Sequence, residues 1–308
     1  MDRHAKRWKA GVLALAAGAA LCAGAVWALQ GELGVTRYEL PLPEGLEGLD
    51  GLKIAQISDV HSADIQGKLQ TALREAAPDL IVFTGDLVNR EDRDLSCALS
   101  LAAMAAQIAP TYYAPGNHEA DNPCYPELRD GLEEAGVTVL EDQSAQLRYG
   151  GELVNVIGLL DLTFSPDGRE KAREQIEGKV KKLSKDGALD VVLSHRPSLM
   201  EEYTDSGADL VFSGHAHGGQ VRMPLIGPLF APDEGALPDY TAGTYQRHPF
   251  SPAVERAGAG GCHHAGLLNV PRSEEIRHKN DRTPRSAVSH GASGRSVLFA
   301  ESGRRKAE

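Results

Sequence analysis

Five short clusters of acidic, amide and imidazole residues punctuate the chain, each directly after an apolar run. They are Asp59-Val60-His61, Gly85-Asp86, Gly116-Asn117-His118-Glu119, Ser194-His195 and Gly214-His215-Ala216-His217-Gly218-Gly219-Gln220. Taken singly they are weak signals. A lone D-x-H is a common loop sequence, Gly-Asp is a common turn, and a single buried His is commonly a satisfied core residue. In sequence they supply Asp59, Asp86, Asn117, His61, His195, His215 and His217, a mixed oxygen and nitrogen donor set suited to two divalent cations. Mn, Fe, Zn and Ni all accept such ligands, so the residue types leave the metal's identity open.

The preceding runs are what must position them. Ile54–Ile57, Leu80–Thr84, Thr111–Ala114, Asp190–Leu193 and Leu210–Ser213 each read as a buried strand. Open parallel α/β sheets place their sites at the carboxyl ends of strands, so five such ends would converge on one crevice. Helical patterns cover Lys68–Ala77, Ser96–Ile108 and Pro126–Ala135, with Ser96 a candidate N-cap. Further strands are expected at Val137–Leu140, Ala145–Arg148 and Leu153–Gly158, and one amphipathic helix over Asp167–Leu183. Strands alternating with helices argue an α/β fold.

Quoted in order, D-x-H, G-D, G-N-H-E, H and G-H-x-H resemble the calcineurin-like metallophosphoesterases, and the likeness runs from about Lys53 to Gln246. Ser58–His61, Thr84–Val88, the Ile157–Asp161 segment and the G-G-Q extension Gly218–Gln220 resemble a membrane-anchored bacterial branch of that family. The resemblance implies two stacked mixed β-sheets flanked by helices. It implies a first metal on Asp59, His61 and His217, a second on Asn117, His195 and His215, and a bridging Asp86. His118 would be no ligand but would serve the leaving group or the phosphate. The implied activity is hydrolysis of a phosphodiester or pyrophosphate bond by metal-activated water, with a lipid-linked or cell-envelope phosphate ester as substrate. A phosphomonoesterase, including a protein phosphatase, and a non-catalytic membrane protein are the alternatives. Arg196, beside His195, is the nearest candidate for a basic pocket.

The chain has 308 residues and a formal charge of −11, unevenly spread. Residues 1–10 carry net +3, residues 11–246 net −19 and residues 247–308 net +5. A body this acidic repels polyanions, which argues against nucleic acid as a partner. Oligomeric state is not legible. Four isolated cysteines give neither a disulfide framework nor metal spacing.

At the start, Arg3, Lys6, Arg7 and Lys9 precede Gly11–Leu29, which carries no charge. At ~1.5 Å per residue such a run spans a hydrocarbon core of ~30 Å. With the positive flank inside, the expectation is a single-pass anchor at 1–29 in the cell membrane and an extracytoplasmic catalytic domain. A cleaved signal peptide ending near Ala23-Gly24-Ala25 is the rival. Residues 30–51 read as a linker, 52–246 as the catalytic domain and 247–308 as a disordered tail. Beyond Gln246 only Ser296–Ala300 has a strand pattern, so the second sheet is expected to be incomplete. His263 and His264 lack partners at metal-binding spacing.

Overall fold

Strands buried on both faces give the chain its layers. The computed structural model describes Gly18 and residues 34–40, 45–217, 221–223, 227–231, 235–240, 243–247, 254–257, 265–268 and 296–302. In order, the strands are β1 (Gly34–Leu40), β2 (Lys53–Ser58), β3 (Leu80–Phe83), β4 (Thr111–Tyr113), β5 (Thr138–Val139), β6 (Gln143–Tyr149), β7 (Glu152–Gly158) and β8 (Ala188–Leu193). They continue as β9 (Leu210–Ser213), β10 (Val221–Met223), β11 (Gly227–Ala231), β12 (Gly235–Ala236), β13 (Gly243–Arg247), β14 (Val254–Ala257), β15 (Ala265–Leu268) and β16 (Ser296–Ser302). The helices are α1 (Gln66–Ala76), α2 (Ser96–Ala106), α3 (Asn117–Ala120), α4 (Tyr125–Glu134), α5 (Arg169–Glu174), α6 (Ile176–Leu183) and α7 (Met200–Ser206).

One sheet has the order β1-β16-β2-β3-β4-β5, the other β14-β13-β15-β9-β8-β7-β6; β10, β11 and β12 form a small third sheet. The central strands β2 to β5 run parallel, as do β7, β8 and β9. Side chains alternate across each strand. In β3, Ile81 and Phe83 face a layer with Leu69 and Leu73 of α1, Leu101 of α2 and Leu128 of α4. Leu80 and Val82 face the opposite way and meet Val191, Leu193 and Phe212 of the second sheet. Val192 and Val211 then face Ile176, Val180 and Tyr203 on the far helices. The result is helices, sheet, sheet, helices, with both sheets covered on both faces, which explains the near-continuous apolar runs.

Several expectations need correction. The linker read over 30–51 contains β1, an edge strand whose alternating, half-exposed residues carry no apolar run. The amphipathic helix read over Asp167–Leu183 is two helices, α5 and α6, meeting at Gln175; Ala172, Ile176 and Val180 still share one buried face across the break. Ser96 is not the cap of α2. It is the first helical residue, and its N–H donates to Asp94 Oδ1 at 2.9 Å. The tail read as disordered contributes β14 and β15 to the second sheet and β16 to the first, between β1 and β2. A ladder is made by backbone groups, so four-residue segments join it without a long apolar pattern, and the second sheet has seven strands. The remainder of 247–308, including Cys262, His263 and His264, lies outside the described residues.

Among the described residues no helix is long and apolar enough to cross a membrane. The anchor expected at 1–29 falls outside them, apart from Gly18.

Candidate metal centre

Pairing does not stop where the strands end. The Asp59 N–H donates to Gly85 O at 3.1 Å and the His61 N–H to Asp86 O at 3.0 Å, so the D-x-H and G-D loops lie side by side. Gly214 N–H donates to His195 O at 3.0 Å and brings the two histidine loops together in the same way. Between the sheets, fully buried Gln56 donates to Thr84 Oγ1 at 2.7 Å and to Ser213 O at 2.9 Å. That polar residue, buried within the run Ile54–Ile57, joins the two loop pairs.

These loops bring the expected residues into two clusters. Asp59, His61, Asp86 and His217 form one, Asp86, His195 and His215 the other, with the donor atoms of each cluster within 4.8 Å of one another. Asp86 belongs to both. Its Oδ2 is 3.1 Å from His195 Nε2 and 3.9 Å from His61 Nε2. Asn117 Oδ1, 3.1 Å from His195 Nε2, joins the second cluster. His61 Nε2 and His217 Nε2 are 3.3 Å apart with their rings stacked. The Gly218–Gln220 extension lies outside the described residues.

The backbone is bent to present these groups. Nine non-glycine residues among those described have positive φ, and five of them are Asp59, His61, Asp86, His215 and His217. Each such residue costs about 1–3 kcal/mol, and that strain concentrates at functional sites. Two glycines provide clearance. A Cβ on Gly116 would strike Asp86 Oδ1, and one on Gly214 would strike Ser58 Oγ and Asp59 Oδ2. Neither has positive φ, so what they provide is close approach of neighbouring chain segments rather than a special backbone conformation.

The donor set fits metal. Fully buried His195 donates from Nδ1 to Thr84 O at 2.7 Å, which leaves the Nε2 lone pair facing Asp86 and Asn117. A carbonyl behind the ring is the usual support of a ligating histidine. Burial opposes a charged His195, yet Asp86, Asp59 and Asp161 outweigh it and push its pKa up to about 10. The cluster therefore calls for a positive charge, which a proton or a metal can supply. His215, pressed by burial, His195 and Arg196, is pulled down to about 3 and stays neutral.

Glu119 organises the loops without being one of the expected ligands. It is fully buried, and its Oε2 accepts from Asp86 N–H (2.8 Å) and Gly116 N–H (2.7 Å), its Oε1 from Leu87 N–H (2.7 Å) and Val88 N–H (3.2 Å). Burial and nearby Asp86 push its pKa up to about 7. Four facing donors leave no acceptor for a carboxylic proton, and the geometry holds it ionised. Asp86 Oδ1 in turn accepts from His118 N–H at 2.9 Å.

His118 stands at the rim with its ring edge on His61, centroids 4.6 Å apart, and its Nδ1 is buried without a hydrogen-bond partner. Burial, assisted by Arg90, lowers its pKa against the pull of Asp86. Arg90 was missed in the sequence; its Nη2 is 3.3 Å from His118 Nε2 and its Nη1 3.5 Å from Asp121 Oδ2. Its only sequence signal is a place four residues beyond Asp86 in a strand-end loop. Arg196, the expected basic candidate, is buried and paired to Asp161 through Nε–Oδ2 (2.7 Å) and Nη2–Oδ1 (3.0 Å).

Strained carboxylate and imidazole donors at the ends of two packed sheets form a candidate metal centre, and together with the family match of residues 52–219 they mark a metal-dependent phosphoric ester hydrolase. Residues 52–219 match the calcineurin-like phosphoesterase family, and the chain belongs to it. It is 32% identical over 208 residues to the uncharacterized metallophosphoesterase YkuE of Bacillus subtilis, covering 65% of this chain and 69% of the relative. To phosphodiesterase YaeI of Escherichia coli it is 33% identical over 165 residues, 52% of this chain and 56% of the relative. To the UDP-2,3-diacylglucosamine pyrophosphatase LpxG of Chlamydia trachomatis it is 26% identical over 263 residues, 67% of this chain and 76% of the relative.

Proposed function

We propose that this chain hydrolyses a phosphodiester or pyrophosphate bond, using two divalent metals that share Asp86. The observation that carries the reading is the single buried carboxylate common to both ligand clusters. Asp59, His61, Asp86 and His217 would hold one ion, and Asp86, Asn117, His195 and His215 the other. When bound, such a pair polarises a phosphoryl oxygen and eases deprotonation of a water. The protein's own groups do the rest. Glu119 and Thr84 keep the ligands in register, Arg90 offers a guanidinium to a phosphoryl oxygen, and His118 serves the leaving group. An anionic phosphate beside His118 opposes the downward shift of its pKa and favours the protonated, donating form.

Diester preference is tested with bis-(p-nitrophenyl) phosphate against p-nitrophenyl phosphate in Mn²⁺. Faster hydrolysis of the diester, abolished by EDTA, is the expected result. Preference for the monoester would instead favour a phosphomonoesterase. In the same assay His118→Asn is expected to keep its metals and to lose ~10²–10⁴ in turnover, the scale of a lost general acid. The loss should be larger for an alkyl ester than for nitrophenol. Equal losses would move His118 from the leaving group to the phosphoryl oxygens.

On the same reading we propose a cell-envelope phosphate ester as the substrate. Support comes from the uncharged Gly11–Leu29 run behind a basic start, and from LpxG, whose name carries a diacylated, pyrophosphate-linked sugar. The protein is therefore expected in the membrane fraction with its domain outside. Protease added to intact spheroplasts should degrade it; complete protection would reverse the topology.

A further inference from the structure

We propose that Asp121 is a specificity-determining residue: paired with Arg90 at the rim of the metal centre, it offsets the guanidinium's charge and so favours a singly charged phosphodiester over a doubly charged phosphomonoester. The inference rests on the place given above to Arg90, at a phosphoryl oxygen of the substrate. Arg90 comes four residues after Asp86, and Asp121 three residues after His118, just beyond α3. The guanidinium reaches both neighbours: Nη2 lies 3.3 Å from His118 Nε2 and Nη1 3.5 Å from Asp121 Oδ2. Both charged side chains are 43% exposed, so a substrate phosphate can reach the one and feel the other.

The meeting is built into the backbone beneath it. Asn122 is buried, and its Nδ2 donates to Asn89 O at 2.7 Å and to Asp92 O at 3.0 Å. The chain neighbours of Arg90 and Asp121 are thus bonded to each other, which holds the two side chains opposite. Asn89 Nδ2 donates in turn to His61 O at 3.1 Å and ties the same loop to the first ligand cluster. Asp92, nearer to Arg90 in sequence, is engaged elsewhere: its Oδ2 accepts from Ser62 Oγ, Asn89 N–H and Asn89 Nδ2. Asp121 is the acid that faces the guanidinium.

Charge then decides the preference. A phosphodiester carries one negative charge. A monoester, with a second pKa of ~6, carries close to two above neutral pH. The energy of a phosphate in a positive field scales with its charge. Whatever Asp121 subtracts from the field of Arg90 therefore costs the monoester twice what it costs the diester.

The test compares kcat/KM for bis-(p-nitrophenyl) phosphate and p-nitrophenyl phosphate in the Mn²⁺-loaded full chain at about pH 8, where the monoester is dianionic. An exposed ion pair is worth a factor of about 2–5. Asp121→Asn should therefore raise the diester value by about 2–3-fold and the monoester value by the square of that, about 4–9-fold. Both gains should appear mainly as a lower KM. At 1 M salt, where the screening length is ~3 Å, they should largely vanish. In an Arg90→Gln background the same substitution should give smaller gains, because the carboxylate no longer has a guanidinium to offset. Equal changes for the two substrates, a change carried by kcat alone, or full gains without Arg90 would each overturn the proposal. The test reads the shift in the diester-to-monoester ratio, not its starting value. A wild type that prefers the monoester would therefore count against the diesterase reading, and an unmoved ratio in Asp121→Asn against the role of Asp121.

Discussion

Asp86→Ala is expected to purify without either metal and to lose hydrolysis altogether. The residue is 1% exposed, and one oxygen, Oδ2, reaches both toward His195 and toward His61. Its removal deletes a donor from each cluster at once. It also deletes the anion between two cations: two divalent charges 4 Å apart repel by about 16 kcal/mol at an effective dielectric of 20. Without the shared carboxylate, binding one ion therefore opposes the second more strongly. Asp86→Asn separates the two effects. It preserves shape and one oxygen donor but not charge, so it should retain one ion weakly and not the pair. Elemental analysis of both variants, with circular dichroism to confirm the fold, gives the answer. A full pair of metals in Asp86→Ala would rule out the shared-ligand role.

The cluster was legible because each of its parts is encoded locally. A strand buried on both faces appears as a short continuous apolar run, as in Leu80–Phe83 and Leu210–Ser213, and the ligand type follows at once. The loops that carry Asp59 and Asp86 need no distant information either, because their strands are neighbours and parallel. Legibility fails where partners are remote or where the useful atom belongs to the backbone. Strand β1 has a half-exposed alternation and pairs with β16 from the far end of the chain, so neither segment announces the other. Arg196 shows the same limit. Beside His195 in sequence it resembles a phosphate ligand; in the fold Asp161, 35 positions earlier, takes it. Glu119 was visible as part of a ligand-like cluster, but its four partners are N–H groups that no sequence pattern records.

Those four N–H groups make Glu119 the position where a single change outside the ligand set should do most damage. Glu119→Ala leaves the N–H groups of Asp86, Leu87, Val88 and Gly116 without their acceptor in a buried loop. An unpaired buried donor costs about 1–3 kcal/mol, so four of them approach the ~5–15 kcal/mol that holds a typical domain folded. Glu119→Ala should therefore be largely insoluble or unfolded. Glu119→Gln is the informative variant. Its amide oxygen can still accept from two donors, while its NH₂ meets the other two as a donor. A net loss of about 3 kcal/mol is expected, and a domain of ~200 residues loses roughly 2–4 °C in Tm per kcal/mol, giving a fall of about 6–12 °C. Metal affinity should fall with it, since this carboxylate ties the backbone of Asp86 to that of Gly116, in support of the bond from His118 N–H to Asp86 Oδ1. The comparison uses metal-free protein, so that lost ligand binding does not contribute to the melting shift. A Glu119→Gln chain that melts within a degree or two of wild type would mean the four contacts are replaceable by water, and that Asp86 is positioned by its strand rather than by Glu119.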